Sequence, residues 1–181
     1  MSRMIEGDHT NAVEARVSPA FRSRLQPTRL PLQKNDFAIR DARLNDAAGL
    51  AALACELGYK TTEVEMAARL ETVLKDARYK TFVAEIGGKL CGMIGTVSHS
   101  SYLHNDLSGR IIALVVSNKR RRRGVGRELV AAAEKDFRRR KITRVTLTTR
   151  FKREEAHRFY EKLGYARTGF RFGKNLRRAA N

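Results

Sequence analysis

Hydrophobic positions along the chain follow two different periods from residue 37 onward, and polar turns with glycine separate the segments. Residues 111–116 (IIALVV) are apolar without interruption, a pattern typical of a strand that is covered on both faces. Residues 125–140 follow a helical period, because apolar side chains recur at every fourth position: Val125, Leu129, Ala133 and Phe137. The chain therefore predicts a buried strand that leads into an amphipathic helix.

The remaining patterns predict further strands and helices in a mixed order. The other strands are expected at residues 37–40, 81–86, 90–97, 144–149 and 165–172. The other helices are expected at residues 47–57, 62–76 and 154–163. A strand–helix–strand crossover through residues 111–149 makes part of the sheet parallel. These elements predict an α/β protein with a single central mixed sheet of about six strands flanked by helices.

Residues 1–36 differ from the rest of the chain, since they hold all three prolines and show no sustained apolar period. We expect a flexible or loosely docked N-terminal leader there and one domain over residues 37–181. A domain of this length buries enough apolar surface to fold without disulfides or a structural metal.

The sequence also bears on the compartment. No run of about 18 apolar residues exists, which excludes a spanning helix. The first residues carry acidic groups and no apolar segment, which opposes a secretory signal. Cys55 and Cys91 are the only cysteines, and two isolated thiols are typical of a reducing compartment. We therefore expect a cytoplasmic protein without a membrane partner.

Positive charge is concentrated in one stretch of the chain. The protein carries a formal net charge of +18, and residues 119–153 alone hold 15 basic and 3 acidic side chains. A field this localised indicates a polyanionic partner. Nucleic acid is one candidate and a phosphorylated cofactor is another.

The basic glycine loop (residues 119–127, KRRRRGVGR) stands between the buried strand and the amphipathic helix. Backbone N–H groups at a helix start have no intrahelical partner, and Gly124 and Gly126 leave them open to an anion. The arginines add donors that match phosphate oxygens. A Walker loop is excluded because Gly-Lys-Ser/Thr is missing, and a dinucleotide fingerprint is excluded because Leu129 stands at the third glycine position.

Two motifs together resemble the GNAT family of N-acetyltransferases. Arg121-x-x-Gly124-x-Gly126, between an apolar strand and an amphipathic helix, is similar to the acyl-CoA pyrophosphate loop of that family. Residues 156–165 (AHRFYEKLGY), with Phe-Tyr followed by Leu-Gly-aromatic, look like its closing helix and turn. The likeness covers roughly residues 37–175.

The resemblance implies that acetyl-CoA is the acyl donor and lies where two neighbouring strands, residues 111–116 and 144–149, splay apart. It implies that the pantetheine amides pair with the backbone of Leu114, Val115 and Val116. It implies a pyrophosphate site on the backbone of Arg121, Arg122, Arg123, Gly124, Val125, Gly126 and Arg127. Lys119, Arg120 and Arg122 are the candidates for the ribose 3′-phosphate.

The resemblance also assigns catalytic roles. Tyr160 stands at the tyrosine that protonates the leaving thiolate in many members. A glutamate common on the strand before the loop is replaced by Ile112 or Ala113, so the general base is left open. Candidates for the base are Glu56, Glu65, His99 and His104. Arg153 stands where an asparagine often contacts the cofactor, and His157 lies one turn before Tyr160. The four histidines and two cysteines have no metal-ligand spacing, so no metal is expected.

The resemblance thus implies direct transfer of an acetyl group to a primary amine of a small molecule or protein. A cationic acceptor is the hypothesis for the amine, because acidic side chains lie in the segments that shape the acceptor site: Glu56, Glu63, Glu65, Glu71 and Asp106. The alternatives are a basic nucleic-acid-binding module, which is disfavoured by the absence of recognition signatures, and an acyl-CoA-binding homologue without turnover. A homodimer is one option for the assembly.

Overall fold

A single mixed sheet runs through the part of the chain that the structure describes. This computed structural model describes residues 36–174 and residue 176, so the leader expected over residues 1–36 lies outside it apart from Asp36. The strands are β1 (Ala38–Asp41), β2 (Tyr79–Ile86), β3 (Lys89–His99), β4 (Ser108–Val116) and β5 (Arg144–Leu147). They stand in the order β1-β2-β3-β4-β5. Neighbours from β1 to β4 are antiparallel, whereas β4 and β5 are parallel.

Helices cover both faces of the sheet. In the described residues they are α1 (Ala47–Glu56), α2 (Glu63–Lys75), α3 (Val125–Arg139) and α4 (Glu154–Lys162). On one face α1 and α2 pack over a core that includes Leu50, Leu70 and Val115. On the other face α3 buries Leu129 and Phe137. The apolar stripe predicted for residues 125–140 is therefore the side of α3 that meets the sheet.

The fully apolar stretch of β4 is explained by this layering. Ile111 belongs to the core under α3, and Val115 belongs to the core under α1 and α2. A strand between two helical layers has no face for polar side chains. The packing is closest at Gly109, where a Cβ atom would lie only 2.7 Å from the ring of Phe137. No helix among residues 36–174 is long and apolar enough to cross a membrane.

The sheet differs from the prediction at its C-terminal edge. The prediction was about six strands, but the described chain has five, because residues 165–172 do not form the predicted last strand. Phe170 and Phe172 are exposed instead, and Phe170 meets Phe151 with 6.2 Å between ring centroids. Aromatic and other apolar residues favour a strand, but a strand also needs a hydrogen-bonding partner along its length.

Candidate active site

The pairing between strands β4 and β5 ends half-way along β4. They pair from Ser108 opposite Arg144 to Ile111 opposite Leu147, and no pairing continues beyond. The predicted strand at residues 144–149 is therefore two residues shorter in the structure. Beyond Ile111, the edge of β4 on the side of β5 is therefore open, and we call this open edge the gap.

The three β4 residues expected to bind the donor line this gap. Leu114, Val115 and Val116 keep their antiparallel pairing with β3 on one side. On the side of β5 they have no strand partner among the described residues. Backbone polar groups left open in this way can accept an extended chain of amides as an added strand.

A β-bulge in β4 stands at the start of the gap. The register with β3 shifts so that Gly95 faces Ala113 and Thr96 faces Ile111, which leaves Ile112 without an opposite residue. The side chain of Ile112 is 50% exposed. Position 112, one of the two where the family resemblance expects a glutamate, thus presents an apolar side chain to solvent.

The basic glycine loop closes the end of the gap. After a short 3-10 turn at Asn118–Arg120, the backbone becomes left-handed at Arg122 (φ 61°) and Gly124 (φ 81°), and α3 begins at Val125. Gly124 suits this conformation because it has no Cβ to clash. The first N–H groups of α3 have no intrahelical acceptor, and the helix dipole favours an anion beside them.

Gly126 lies between the last residue of β4 and the helix α4. A Cβ atom at this position would lie 3.4 Å from the ring of Phe159 and 3.6 Å from the side chain of Val116. A single methyl group therefore fills the space that the glycine leaves. Open strand amides and free helix-start N–H groups together suit a diphosphate with an extended amide arm, and a larger side chain at position 126 would meet Phe159 and Val116.

The side chains of the loop carry uncompensated positive charge. Arg122 lies 3.7 Å from Glu155, but both side chains are largely exposed, so this pair contributes little. Arg121 donates a long 3.4 Å bond to the carbonyl oxygen of Val116. The other cations of the loop have no carboxylate within 4.0 Å in the described chain: Lys119, Arg120, Arg123 and Arg127.

Tyr160 lies on α4 among other aromatic rings. Its ring meets Phe159 edge-on at 5.1 Å and Tyr165 at 5.7 Å between centroids. Burial raises the pKa of Tyr160 to about 12, and the positive charge of Arg153 acts in the opposite direction. The hydroxyl of Tyr165 donates a 3.0 Å hydrogen bond to Glu134, whereas that of Tyr160 has no partner among the described residues. Tyr160 is therefore a protonated phenol at neutral pH.

Two acids offered as the general base are engaged elsewhere. Glu56 accepts hydrogen bonds from the hydroxyl of Ser117 (3.0 Å) and from the backbone N–H of Asn118 (2.7 Å). Glu65 closes a capping box at the start of α2, where it accepts a 2.8 Å bond from the backbone N–H of Thr62. These bonds lower the pKa of Glu65. Both carboxylates therefore accept hydrogen bonds that stabilise local structure in the described chain.

The two histidine candidates lie at the other end of β4. His99 pairs with Ser108 at the beginning of β4, and His104 lies in the loop just before that residue. The gap opens beyond Ile111, toward the end of β4. On α4, the Nε2 atom of His157 lies 3.1 Å from the carbonyl oxygen of Arg150, so this histidine contacts the loop before its own helix.

The acidic residues expected to form an acceptor pocket are dispersed. Glu56 and Glu65 have the partners given above, and Asp106 pairs with Arg144 at the start of β5. Glu63 and Glu71 are exposed on α2. These five carboxylates do not converge on the gap, so the acidic pocket expected from the sequence is not formed by them.

Sequence reasoning did not foresee the turn that connects the two walls of the gap. This bridging turn (residues 56–59) contacts the segment before the basic glycine loop through Glu56. On the other side Arg153 donates a 3.0 Å hydrogen bond to the carbonyl oxygen of Leu57. The guanidinium of Arg150 lies 6.0 Å from the ring centroid of Tyr59. No local pattern signals these contacts, because their partners are far apart in the sequence.

The chain matches the model of a known protein family. The model of the Acetyltransferase (GNAT) family matches residues 48–165, which is more than half of the chain. The chain belongs to the GNAT acetyltransferase family. The resemblance inferred from the two motifs is therefore confirmed, and so is the mixed α/β fold with one central sheet.

Similar proteins are found both by sequence and by structure. An aminoalkylphosphonate N-acetyltransferase of Salmonella typhimurium is 33% identical over 143 residues, which are 76% of this chain and 90% of the relative. Glucosamine-6-phosphate N-acetyltransferase from Arabidopsis thaliana superimposes with a TM-score of 0.70 at 22% identity, over 78% of this chain and 99% of that one. A metagenomic aminoglycoside acetyltransferase from soil, bound to trehalose, gives a TM-score of 0.69 at 19% identity, over 80% and 99%.

These comparisons show that this acetyltransferase is an N-acetyltransferase. Members of the family generally use acetyl-CoA as the acetyl donor. The alternatives weighed from the sequence, a nucleic-acid-binding module and a homologue without turnover, find no support in them. The structural likenesses at 22% and 19% identity concern the fold alone.

Proposed function

We propose that this acetyltransferase moves the acetyl group of acetyl-CoA to the primary amine of a small acceptor that carries an acidic group, of the aminoalkylphosphonate class. The observation that carries the proposal is the 33% identity with an aminoalkylphosphonate N-acetyltransferase across 90% of that relative. The dispersal of the acidic residues supports it further, since a cationic acceptor needs carboxylates around its binding site.

The donor is held by backbone groups and by positive charge. The open edge at Leu114, Val115 and Val116 receives the pantetheine amides, and the N–H groups from Arg121 to Arg127 receive the pyrophosphate. The unpaired cations Lys119 and Arg120, with Arg122, hold the ribose 3′-phosphate. Acetyl-CoA brings an acetyl thioester, which is an activated acyl group with a thiolate as its leaving group.

The reaction forms a C–N bond to the acceptor amine and breaks the C–S bond of the thioester. Tyr160 donates its phenolic proton to the sulfur as the bond breaks, which is general acid catalysis. Ile112 supplies no carboxylate at the β-bulge, so the acceptor amine reacts in its neutral form, the proton it loses passes to solvent, and Tyr160 regains its proton from solvent. Orientation of the amine beside the acetyl group supplies much of the remaining rate.

The test is thiol release from acetyl-CoA with a panel of amines, combined with mass spectrometry of the acetylated product. The panel contains 2-aminoethylphosphonate, an aminoglycoside, a polyamine and a peptide with a free N-terminus. We expect the highest kcat/KM with the aminophosphonate. Turnover confined to the aminoglycoside or polyamine would refute an acceptor that carries an acidic group and would support a cationic acceptor. Turnover of the peptide alone would show a protein substrate.

A further inference from the structure

Two arginines of the loop between β5 and α4 meet the bridging turn at the mouth of the gap. Arg153 donates to the carbonyl oxygen of Leu57 at 3.0 Å, and Arg150 lies over the ring of Tyr59 at 6.0 Å. We propose that Arg150 and Arg153 form an acid-binding subsite, which holds the phosphonate of the acceptor while the amine points into the gap. The inference rests on the proposed function and adds the residues that recognise the substrate.

Both guanidinium groups keep donors available for a ligand. An arginine side chain has five N–H donors, and Arg153 uses one of them on Leu57. Neither Arg150 nor Arg153 has a carboxylate within 4.0 Å in the described part of the chain. Two guanidinium groups without acidic partners match the oxygens of a phosphonate, which accept several charge-assisted hydrogen bonds at once.

Acidic residues near these arginines lie closest to other arginines. The first turn of α4 holds Glu154 and Glu155, which pair with Arg158 at 3.5 Å and with Arg122 at 3.7 Å. Glu161 pairs with Arg167 at 2.7 Å. These pairs are exposed and contribute little to stability, but no described carboxylate lies within 4.0 Å of Arg150 or Arg153.

The position of Arg153 relative to Tyr160 connects the subsite to the chemistry. Arg153 caps the start of α4, and Tyr160 follows seven residues later, which is two helical turns and the same side of the helix. The positive charge of Arg153 opposes the rise in the pKa of Tyr160. An acidic group bound at Arg153 would therefore lie on the same side of α4 as the proposed proton donor, about 10 Å away along the helix axis.

The experiment compares three acceptors of similar size and different charge: 2-aminoethylphosphonate, 2-aminoethylsulfonate and propylamine. We measure KM and kcat for each with the wild type, Arg150→Met, Arg153→Met and Arg153→Lys. We expect Arg150→Met and Arg153→Met to raise KM for the phosphonate by about tenfold or more, because each removes charge-assisted hydrogen bonds. KM for propylamine and for acetyl-CoA should change by less than about twofold. Arg153→Lys should recover part of the loss, since it keeps the charge and loses the fork.

Arg158→Met is the matched control. It removes one positive charge from the exposed side of the same helix, next to Glu154, and it should leave all three KM values unchanged. A second measurement uses propylphosphonate, which has no amine, as an inhibitor of propylamine acetylation. It should compete with propylamine in the wild type and in Arg158→Met, and lose inhibition in Arg153→Met.

Failure of the subsite and failure of the proposed function give different results. If the wild type acetylates 2-aminoethylphosphonate but both methionine variants keep its KM relative to that of propylamine, the subsite is overturned and the function stands. If the wild type acetylates propylamine as efficiently as 2-aminoethylphosphonate and propylphosphonate does not inhibit it, both are overturned.

Discussion

The carboxylate of Glu56 accepts a 2.7 Å hydrogen bond from the backbone N–H of Asn118, and so ties the last residue of α1 to the segment that leads into the basic glycine loop. The adjacent hydroxyl of Ser117 donates to the same carboxylate at 3.0 Å. Hydrogen bonds to a charged acceptor are stronger than neutral ones. We therefore expect Glu56 to position the loop rather than to take a proton from the acceptor.

Replacing Glu56 with alanine tests this role. We expect KM for acetyl-CoA to rise several-fold, because the loop loses two hydrogen bonds that orient it, while kcat and its pH dependence stay close to wild type. Glu63→Ala, a substitution at an exposed position on α2, serves as the control and should change neither constant. A large fall in kcat with a shifted acidic limb would instead make Glu56 the general base.

Replacing Tyr160 with phenylalanine removes the proposed proton donor and keeps the ring that packs against Phe159 and Tyr165. We expect kcat to fall by about 100-fold or more, since general acid catalysis contributes on this scale. KM for acetyl-CoA should change little, because the hydroxyl is not among the groups that hold the donor. A steady-state comparison measures both constants, and wild-type kcat in the variant would refute the acid role.

The stability of the protein at alkaline pH should also depend on Tyr160. Burial raises its pKa from about 10 in the unfolded chain to about 12 in the fold. Below pH 10 both states are protonated, whereas between pH 10 and 12 only the unfolded state ionises, so the free energy of unfolding falls as pH rises. From pH 9 to pH 11 the wild type should lose about 1 kcal/mol more than Tyr160→Phe.

Urea unfolding of both proteins at these two pH values measures the difference. The pKa of Tyr165 is raised as well, through burial and the nearby charge of Glu134. Tyr165 is present in both proteins, and burial and Glu134 are the larger causes of its shift, so most of its contribution cancels in the comparison. Equal losses in the two proteins would mean that the hydroxyl of Tyr160 is in contact with water.

Substitutions of increasing size at Gly126 test the donor site. A Cβ atom there makes ordinary contact with Phe159 and Val116 at 3.4 and 3.6 Å, so Gly126→Ala should fold and bind acetyl-CoA with a modest loss. Gly126→Leu places further atoms in the gap itself and should raise KM for acetyl-CoA by about tenfold or more. The alanine variant is the control for the effect of a side chain on the helix. Unchanged affinity in the leucine variant would place the donor elsewhere.

Consecutive residues were sufficient to predict much of the architecture. The four-residue spacing of Leu129 and Phe137 predicted which side of α3 is buried, because a helix repeats every 3.6 residues whatever lies around it. Gly124 and Gly126 predicted an open helix start in the same way, since the absence of a side chain is a local property. The apolar run of β4 predicted its burial between two layers.

Features that depend on partners distant in the sequence could not be predicted in this way. Apolar residues in 165–172 indicated a strand, but a strand also needs a pairing partner, and residues 165–172 pair with no strand in the described fold. The roles of Glu56 and Asp106 depended on Asn118 and Arg144, which folding brings to them. The sequence alone does not show whether the carboxylate of an acidic residue is free or paired in the fold.

By itself the sequence determined the family, the layered α/β fold and the loop suited to a diphosphate, because each is encoded in short-range spacing. Only the tertiary structure decided where β4 and β5 separate and which charges stay unpaired around the gap. Arg153 and Leu57 are 96 residues apart in the chain and form a hydrogen bond because α1 packs on the sheet beside the start of α4. Such a contact depends on how whole elements pack, and no pattern of neighbouring residues contains that information.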